Sequence, residues 1–230
     1  MNGRKLQKNK DIGLSGKRPA GRPRRTREHE EAFRRRLVAA ARELFVEEGF
    51  ESVSMRRIAA RAGCAPMTIY QYFANKRAVL RHIWGDIFDE VLGRCTAAVE
   101  RAAGAPEKLR AFARCFVAYW LEHPDHYRVI YLNEDAVEES LERYFVESAD
   151  LVRRFSIVES LVREAMADGD FRSGDPALVT QTLICLLHGL AHSLITVPEY
   201  PWQPRERVVD ASLDAVFRGF ASATSTDEPA

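Results

Sequence analysis

Three groups of residues carry enough chemistry to point to a function. The first is a run of cations, Lys17, Arg18, Arg22, Arg24 and Arg25, threaded with Pro19, Gly21 and Pro23. Guanidinium groups at this density suit the phosphates and groove edges of a polyanion. The second spans residues 55–74, where a small residue, a glycine and inward apolar positions have the spacing of a helix-turn-helix that can bring its side chains to DNA. An arginine can pair two acceptors on a guanine edge, and a helix N-terminus aims unpaired amides at phosphate. The third is an aromatic inventory: Trp84, Phe112, Phe116, Tyr119, Trp120, Tyr127, Tyr131, Phe145 and Phe155, with Met166. Side chains of this kind either fill a core or line an apolar pocket.

Catalytic chemistry is not expected. The chain lacks a P-loop, a GxSxG elbow and a convincing pair of carboxylates. His188 and His192 stand four apart on one helix face, a spacing at which two imidazoles can share a metal. No third ligand matches them and no HExxH glutamate accompanies them, so they read as packing or dimer-seam histidines. No metal and no cofactor are expected. Cys64, Cys95, Cys115 and Cys185 form no CxxC pair, which fits a reducing compartment. Cys64 falls at an apolar inward position and reads as structural.

The elements that must hold these groups are helices. Residues 1–28 have almost no large apolar side chains and read as a disordered arm. From Phe33, residues Leu37, Ala40, Ala41, Leu44 and Phe45 recur at helical steps until Gly49. Ser54 caps a short second helix through Arg61, with Met55, Ile58, Ala59 and Ala62 facing inward. Pro66 opens a third. Ala59 at the crossing, Gly63 in the turn, and Ile58, Ala62, Cys64, Ile69 and Phe73 inside meet the demands of a helix-turn-helix. Beyond it the pattern predicts a helix from Asn75 to about Ala103, one from Pro106 to His123, and a short one over 125–133. A long amphipathic stretch from Leu141 to Gly169, an apolar helix over 176–196 and a last helix from Arg205 to about Ala221 follow. No strand pattern is evident, so the fold is all-α: a three-helix head over 29–77, a larger helical body over 78–223 and a polar tail over 224–230.

Charge divides along the same line. Residues 1–77 hold 19 Lys/Arg against 8 Asp/Glu, a net of +11, whereas residues 78–230 hold 15 against 25, a net of −10. A basic end for a polyanion and an acidic body that avoids it is the simplest reading. The longest nearly apolar run, Leu183 to Val197, falls short of the roughly 20 residues that span a bilayer, and no signal peptide is evident. A cytoplasmic location without a membrane partner is therefore expected.

Ser54-Met55-Arg56-Arg57-Ile58-Ala59-Ala60-Arg61-Ala62-Gly63, followed by Thr68-Ile69-Tyr70-Gln71-Tyr72-Phe73-Ala74-Asn75-Lys76, resembles the TetR family of bacterial transcriptional regulators. The family's first helix ends in E-x-G-[FY], present here as Glu47-Glu48-Gly49-Phe50. The resemblance implies that Ser54, Tyr72 and Lys76 contact phosphates, that Arg56 reaches a base, and that Ala65, Pro66, Met67, Thr68 and Tyr70 face the groove. Where the family often has a polar or basic residue near Pro66 and a glycine at Met67, this chain offers apolar contacts suited to thymine methyl groups. A competing reading packs the Tyr70 and Tyr72 rings on the first helix and leaves Arg56 and Lys76 as solvated charges.

The arm Lys17–Arg25 resembles an AT-hook, whose Gly-Arg-Pro core lies along the narrow minor groove of A·T-rich DNA. Minor-groove insertion of Arg22, Arg24 and Arg25 and plain phosphate attraction both fit. The family resemblance also implies an effector cavity in the body, for which Tyr119, Trp120, Tyr127 and Tyr131 are the candidates, and an intersubunit bundle of the last two long helices. The expectation is a homodimeric, ligand-responsive regulator on double-stranded DNA, a repressor released from a palindromic operator by a small apolar or aromatic effector. The alternative is an architectural, nucleoid-associated DNA binder without an effector.

Overall fold

A computed structural model describes residues 27–132 and 149–222, with side chains from 155 onward in the second stretch. The elements are α1 (Arg27–Glu48), α2 (Met55–Arg61), α3 (Pro66–Ile69), α4 (Lys76–Val99), α5 (Ala105–Glu122), α6 (Pro124–Tyr131), α7 (Ala149–Ala167), α8 (Pro176–Thr196) and α9 (Arg205–Phe220). Among the described residues there is no strand, only an isolated bridge between Phe171 and Ala221. The all-α architecture follows the sequence pattern.

The boundaries differ where polar turns extend a helix beyond its apolar stripe. α1 begins at Arg27 rather than Phe33, so the last two residues of the expected arm are helical. Glu28 and Glu30 stand in that first turn, where acidic side chains favour the helix dipole. The remainder of the arm, with Arg22, Arg24 and Arg25, lies outside the described residues. So do Leu141 and Phe145 of the expected amphipathic stretch and the tail 224–230. α4 stops at Val99, short of Ala103, and α6 runs over 124–131 rather than 125–133.

In the head, Leu37, Ala41, Leu44 and Phe45 of α1 bury against Ile58 and Ala59 of α2, Ile69 of α3 and Phe73. The α2–α3 turn requires Gly63, which adopts φ +67, a region open to glycine and costly for side chains with a Cβ. Asn75 then caps α4, its side-chain oxygen accepting from the Ala78 amide at 2.8 Å. At 1.5 Å per residue the 24-residue α4 is about 36 Å long. Leu80 and Ile83 on α4 belong to the buried core, as do Phe88 and Val91 further along, so one rod ties the two regions.

The body is built around α5, which packs against α4, α6, α7, α8 and α9. Its Phe112, Phe116, Tyr119 and Trp120 are buried. α8 has Thr180, Leu183, Leu187, Ala191, Leu194 and Ile195 on its buried side. By length and composition this 21-residue helix is apolar enough to cross a membrane, longer than the apolar run counted from sequence, yet only 33% of its most apolar 18-residue stretch is buried.

Candidate nucleic-acid interface and effector site

α2 carries three arginines, and α1 takes two of them. Arg61 bonds Glu47 at 2.7 Å and Glu43 at 3.2 Å, while Arg57 pairs with Glu48. The Arg61 guanidinium holds the Glu47 carboxyl below the ordinary carboxylate range. Arg56 is exposed and has no ion-pair partner among the described residues, which leaves its full set of donors for an outside acceptor. Of the three, Arg56 is the one to which the family resemblance gives a base contact.

Of the five residues at α3 expected to face the groove, four are exposed. Ala65 and Pro66 are exposed, Met67 is 75% exposed and Tyr70 49%, while Thr68 is half-buried and Ile69 anchors the helix inside. Ala65 supplies no capping oxygen. Ser54, exposed, accepts from the Arg57 amide through its hydroxyl at 3.3 Å and so serves first as the N-cap of α2.

Two expected phosphate contacts have structural occupations. Lys76, with a side chain only 22% exposed, donates to the Phe50 carbonyl at 2.6 Å and the Glu51 carbonyl at 3.3 Å, and its ammonium lies 4.1 Å from the Phe50 ring centroid. It clamps the α1–α2 loop, neither solvated nor freely available. Tyr72 is half-buried, its ring tilted on Phe33 of α1 with centroids 5.1 Å apart. The packing reading holds for Tyr72 and not for Tyr70.

In the body the four expected effector residues come together but pack on one another. Tyr119, Trp120 and Tyr127 are buried and Tyr131 is half-buried. Trp120 meets Phe116, Tyr127 and Tyr131 edge to face at 5.9, 5.6 and 5.5 Å, an arrangement aromatic quadrupoles favour. Among the described residues the Trp120 Nε1 donor, buried in this cluster, has no acceptor. A groove of about 460 Å³ opens elsewhere, between α5 and α9, beside the Arg114–Asp210 pair.

His188 and His192 each meet a tyrosine instead of sharing a third ligand. The Tyr131 hydroxyl lies 3.0 Å from His188 Nε2, and His188 Nδ1 lies 2.9 Å from the Ile184 carbonyl. A neutral ring donating from Nδ1 and accepting at Nε2 satisfies both contacts. Burial pushes the His188 pKa down and the Tyr131 pKa up. The Tyr127 hydroxyl is 3.4 Å from His192 Nδ1. Among the described residues, ligating atoms gather at His123, Asp125 and His126. The sequence reading passed over them, although the run His-Pro-Asp-His was visible.

Residues 37–83 match the family described as bacterial regulatory proteins, tetR family, and residues 102–192 match the tetracyclin repressor-like C-terminal domain. The chain belongs to the TetR family. Over 138 residues it is 30% identical to the HTH-type transcriptional repressor KstR2 of Mycolicibacterium smegmatis, a match covering 59% of this chain and 66% of that protein. Over 124 residues it is 32% identical to the HTH-type transcriptional activator FasR of the same organism, covering 53% and 56% respectively. The match thus spans less than two thirds of these curated relatives. The TetR fold is shared with FadR from Bacillus subtilis, solved in complex with stearoyl-CoA. The TM-score is 0.68 at 19% identity, covering 81% of this chain and 98% of that one. These TetR relatives are regulators and not enzymes.

Proposed function

We propose that this chain is a homodimeric repressor whose α3 reads a palindromic operator and whose body releases the DNA when an apolar effector binds. The reading is carried by α3: its apolar and tyrosyl face stands open to solvent on a head whose neighbouring cations are locked in ion pairs, leaving Arg56 beside it. In this arrangement Ala65, Pro66 and Met67 make apolar contacts in the major groove, Thr68 and Tyr70 add hydroxyls, and Arg56 pairs a base or phosphate. Arg22, Arg24 and Arg25 follow the backbone or enter the adjacent minor groove.

Dimerisation answers the incomplete burial of α8. Its exposed side holds Leu178, Cys185 and Gly189 beside Gln181, Thr182 and His192, and α9 exposes Ala211, Ala215 and Gly219 beside Arg207 and Arg218. Small and apolar side chains on two neighbouring helices suit a four-helix contact with a second copy, which also sets two heads for two half-sites. Repression is taken from the likeness to KstR2, and an acyl effector from FadR and its stearoyl-CoA. The unpartnered Trp120 Nε1 supplies a donor for a carbonyl if the aromatic cluster opens, and a ligand that binds only the opened body shifts the population away from the DNA-binding form.

The test is a footprint on DNA flanking the gene, repeated with long-chain acyl-CoA and with free coenzyme A. A symmetric footprint erased by the acyl form alone is expected. A footprint indifferent to both compounds refutes the effector class, and uniform protection along the fragment refutes the operator.

A further inference from the structure

His123 closes α5 and opens α6, and Pro124 begins the new helix at once. The tight link brings the His123 and His126 rings into a stack, with centroids 4.9 Å apart and planes at 16°. One ligating atom from each of His123, Asp125 and His126 falls within 4.8 Å of the others, and Asp125 Oδ2 is 3.9 Å from His126 Nε2. His126 is itself almost wholly buried. Among the described residues the buried His123 Nε2 has no hydrogen-bond partner. Buried polar nitrogens are nearly always paired, so an orphan beside another imidazole and a carboxylate marks a missing partner.

We propose that His123, Asp125 and His126 form a binding site for a divalent transition metal of the zinc type. Two imidazoles and one carboxylate are the nitrogen and oxygen donors that zinc accepts, with water able to take a fourth position. Zn–N bonds of about 2.0–2.1 Å place the corners of a tetrahedron roughly 3.4 Å apart. The present spread must therefore contract by about 1.4 Å, which rotation of the partly exposed Asp125 and His123 side chains supplies.

The site also touches the head. Arg42 of α1 lies 3.3 Å from His126 Nε2, while His126 Nδ1 lies 2.8 Å from the Tyr119 hydroxyl, which in turn is 3.3 Å from Glu90 Oε2. A neutral His126 accepts from Arg42 and donates to Tyr119, and Tyr119 donates to Glu90. A metal on His126 Nε2 takes the lone pair that Arg42 uses and releases the guanidinium from α6. Asp125 and Glu90 offset the added positive charge. Metal binding thereby loosens α1 from the body and lowers operator affinity. This consequence rests on the proposed regulatory function, whereas metal binding itself does not.

The test uses full-length protein stripped with a chelator, titrated with Zn²⁺ against a chromophoric competitor and with Co²⁺ by visible absorption, in the absence of DNA. One equivalent per chain and a tetrahedral cobalt spectrum are expected. His123→Ala and Asp125→Asn, checked for fold by circular dichroism, are each expected to weaken binding by about 100-fold, the upper range for loss of even a residue that merely orients a ligand. Cys115→Ser controls for thiol capture and is expected to bind as the parent does. Absence of saturable binding, binding untouched by both variants, or binding lost in Cys115→Ser overturns the site. In a separate arm, saturating Zn²⁺ is expected to weaken operator binding by the parent and not by His123→Ala. Equal operator affinity with and without metal overturns the coupling to the head.

Discussion

Three arginines on one seven-residue helix should behave differently when each is replaced by alanine. Arg57 and Arg61 are bound to Glu48, Glu47 and Glu43 of α1, so their donors are already occupied. Arg56 has no such partner among the described residues. If Arg56 pairs a base edge, its loss removes about 1–3 kcal/mol per head, or roughly 5- to 150-fold. Two heads on a palindrome double that free energy where the half-sites act independently. Surface ion pairs contribute little, and Arg57→Ala and Arg61→Ala are expected to leave operator affinity within roughly threefold. Fluorescence anisotropy on operator and on scrambled DNA separates the cases, because loss of a base contact lowers the preference between the two fragments. Loss of a phosphate contact weakens both and reduces the salt slope by about one. Equal losses for all three variants, or a silent Arg56→Ala, would refute the assignment of Arg56 by its lack of a partner.

Other outcomes follow from single contacts. Gly63→Ala introduces a Cβ that meets nothing within 4 Å but must adopt φ +67, so the cost is that of the backbone alone, about 1–2 kcal/mol. A thermal melt should show Gly63→Asn costing less, since asparagine tolerates that conformation better. Tyr131→Phe strips the partner from half-buried His188 Nε2 and is expected to cost about 0.5–1.5 kcal/mol, a melting shift of about 2–4 °C per kcal/mol in a chain of this size. Burial lowers the His188 pKa, so its contribution is complete above about pH 6.5 and is lost as pH falls toward the folded value, because the unfolded chain protonates first. The melting-temperature difference between pH 7.5 and 5.5 should therefore shrink in His188→Gln. Deleting residues 1–26 is expected to weaken DNA binding and flatten its salt dependence. An unchanged affinity and slope would mean that the arm is idle.

Local signals made the helices readable. Ser54, Asn75 and Asp175 all accept the capping amides that their types announce, and Gly63 turns where a positive φ is needed. The start of α1 was missed because its first turn is polar and shows no apolar period. Contacts across the chain were harder to see. Nothing near Lys76 announces that its ammonium reaches back to Phe50 and Glu51, and three similar arginines on α2 can be told apart only once α1 lies beside them. The aromatic residues of the body were correctly seen as a group. Whether a tyrosine fills a core or faces a ligand depends on the neighbouring helices, and here α5 and α8 close over Tyr127 and Tyr131.

The central claim is that this head distinguishes one DNA sequence from others. The direct measurement is anisotropy of the purified chain on fragments of its own upstream DNA and on random DNA of equal length, at two salt concentrations. Preference for one palindromic fragment that survives the higher salt is the predicted result. Equal affinity for all fragments, falling steeply and in parallel with salt, would contradict a sequence-reading α3 and favour an architectural DNA binder.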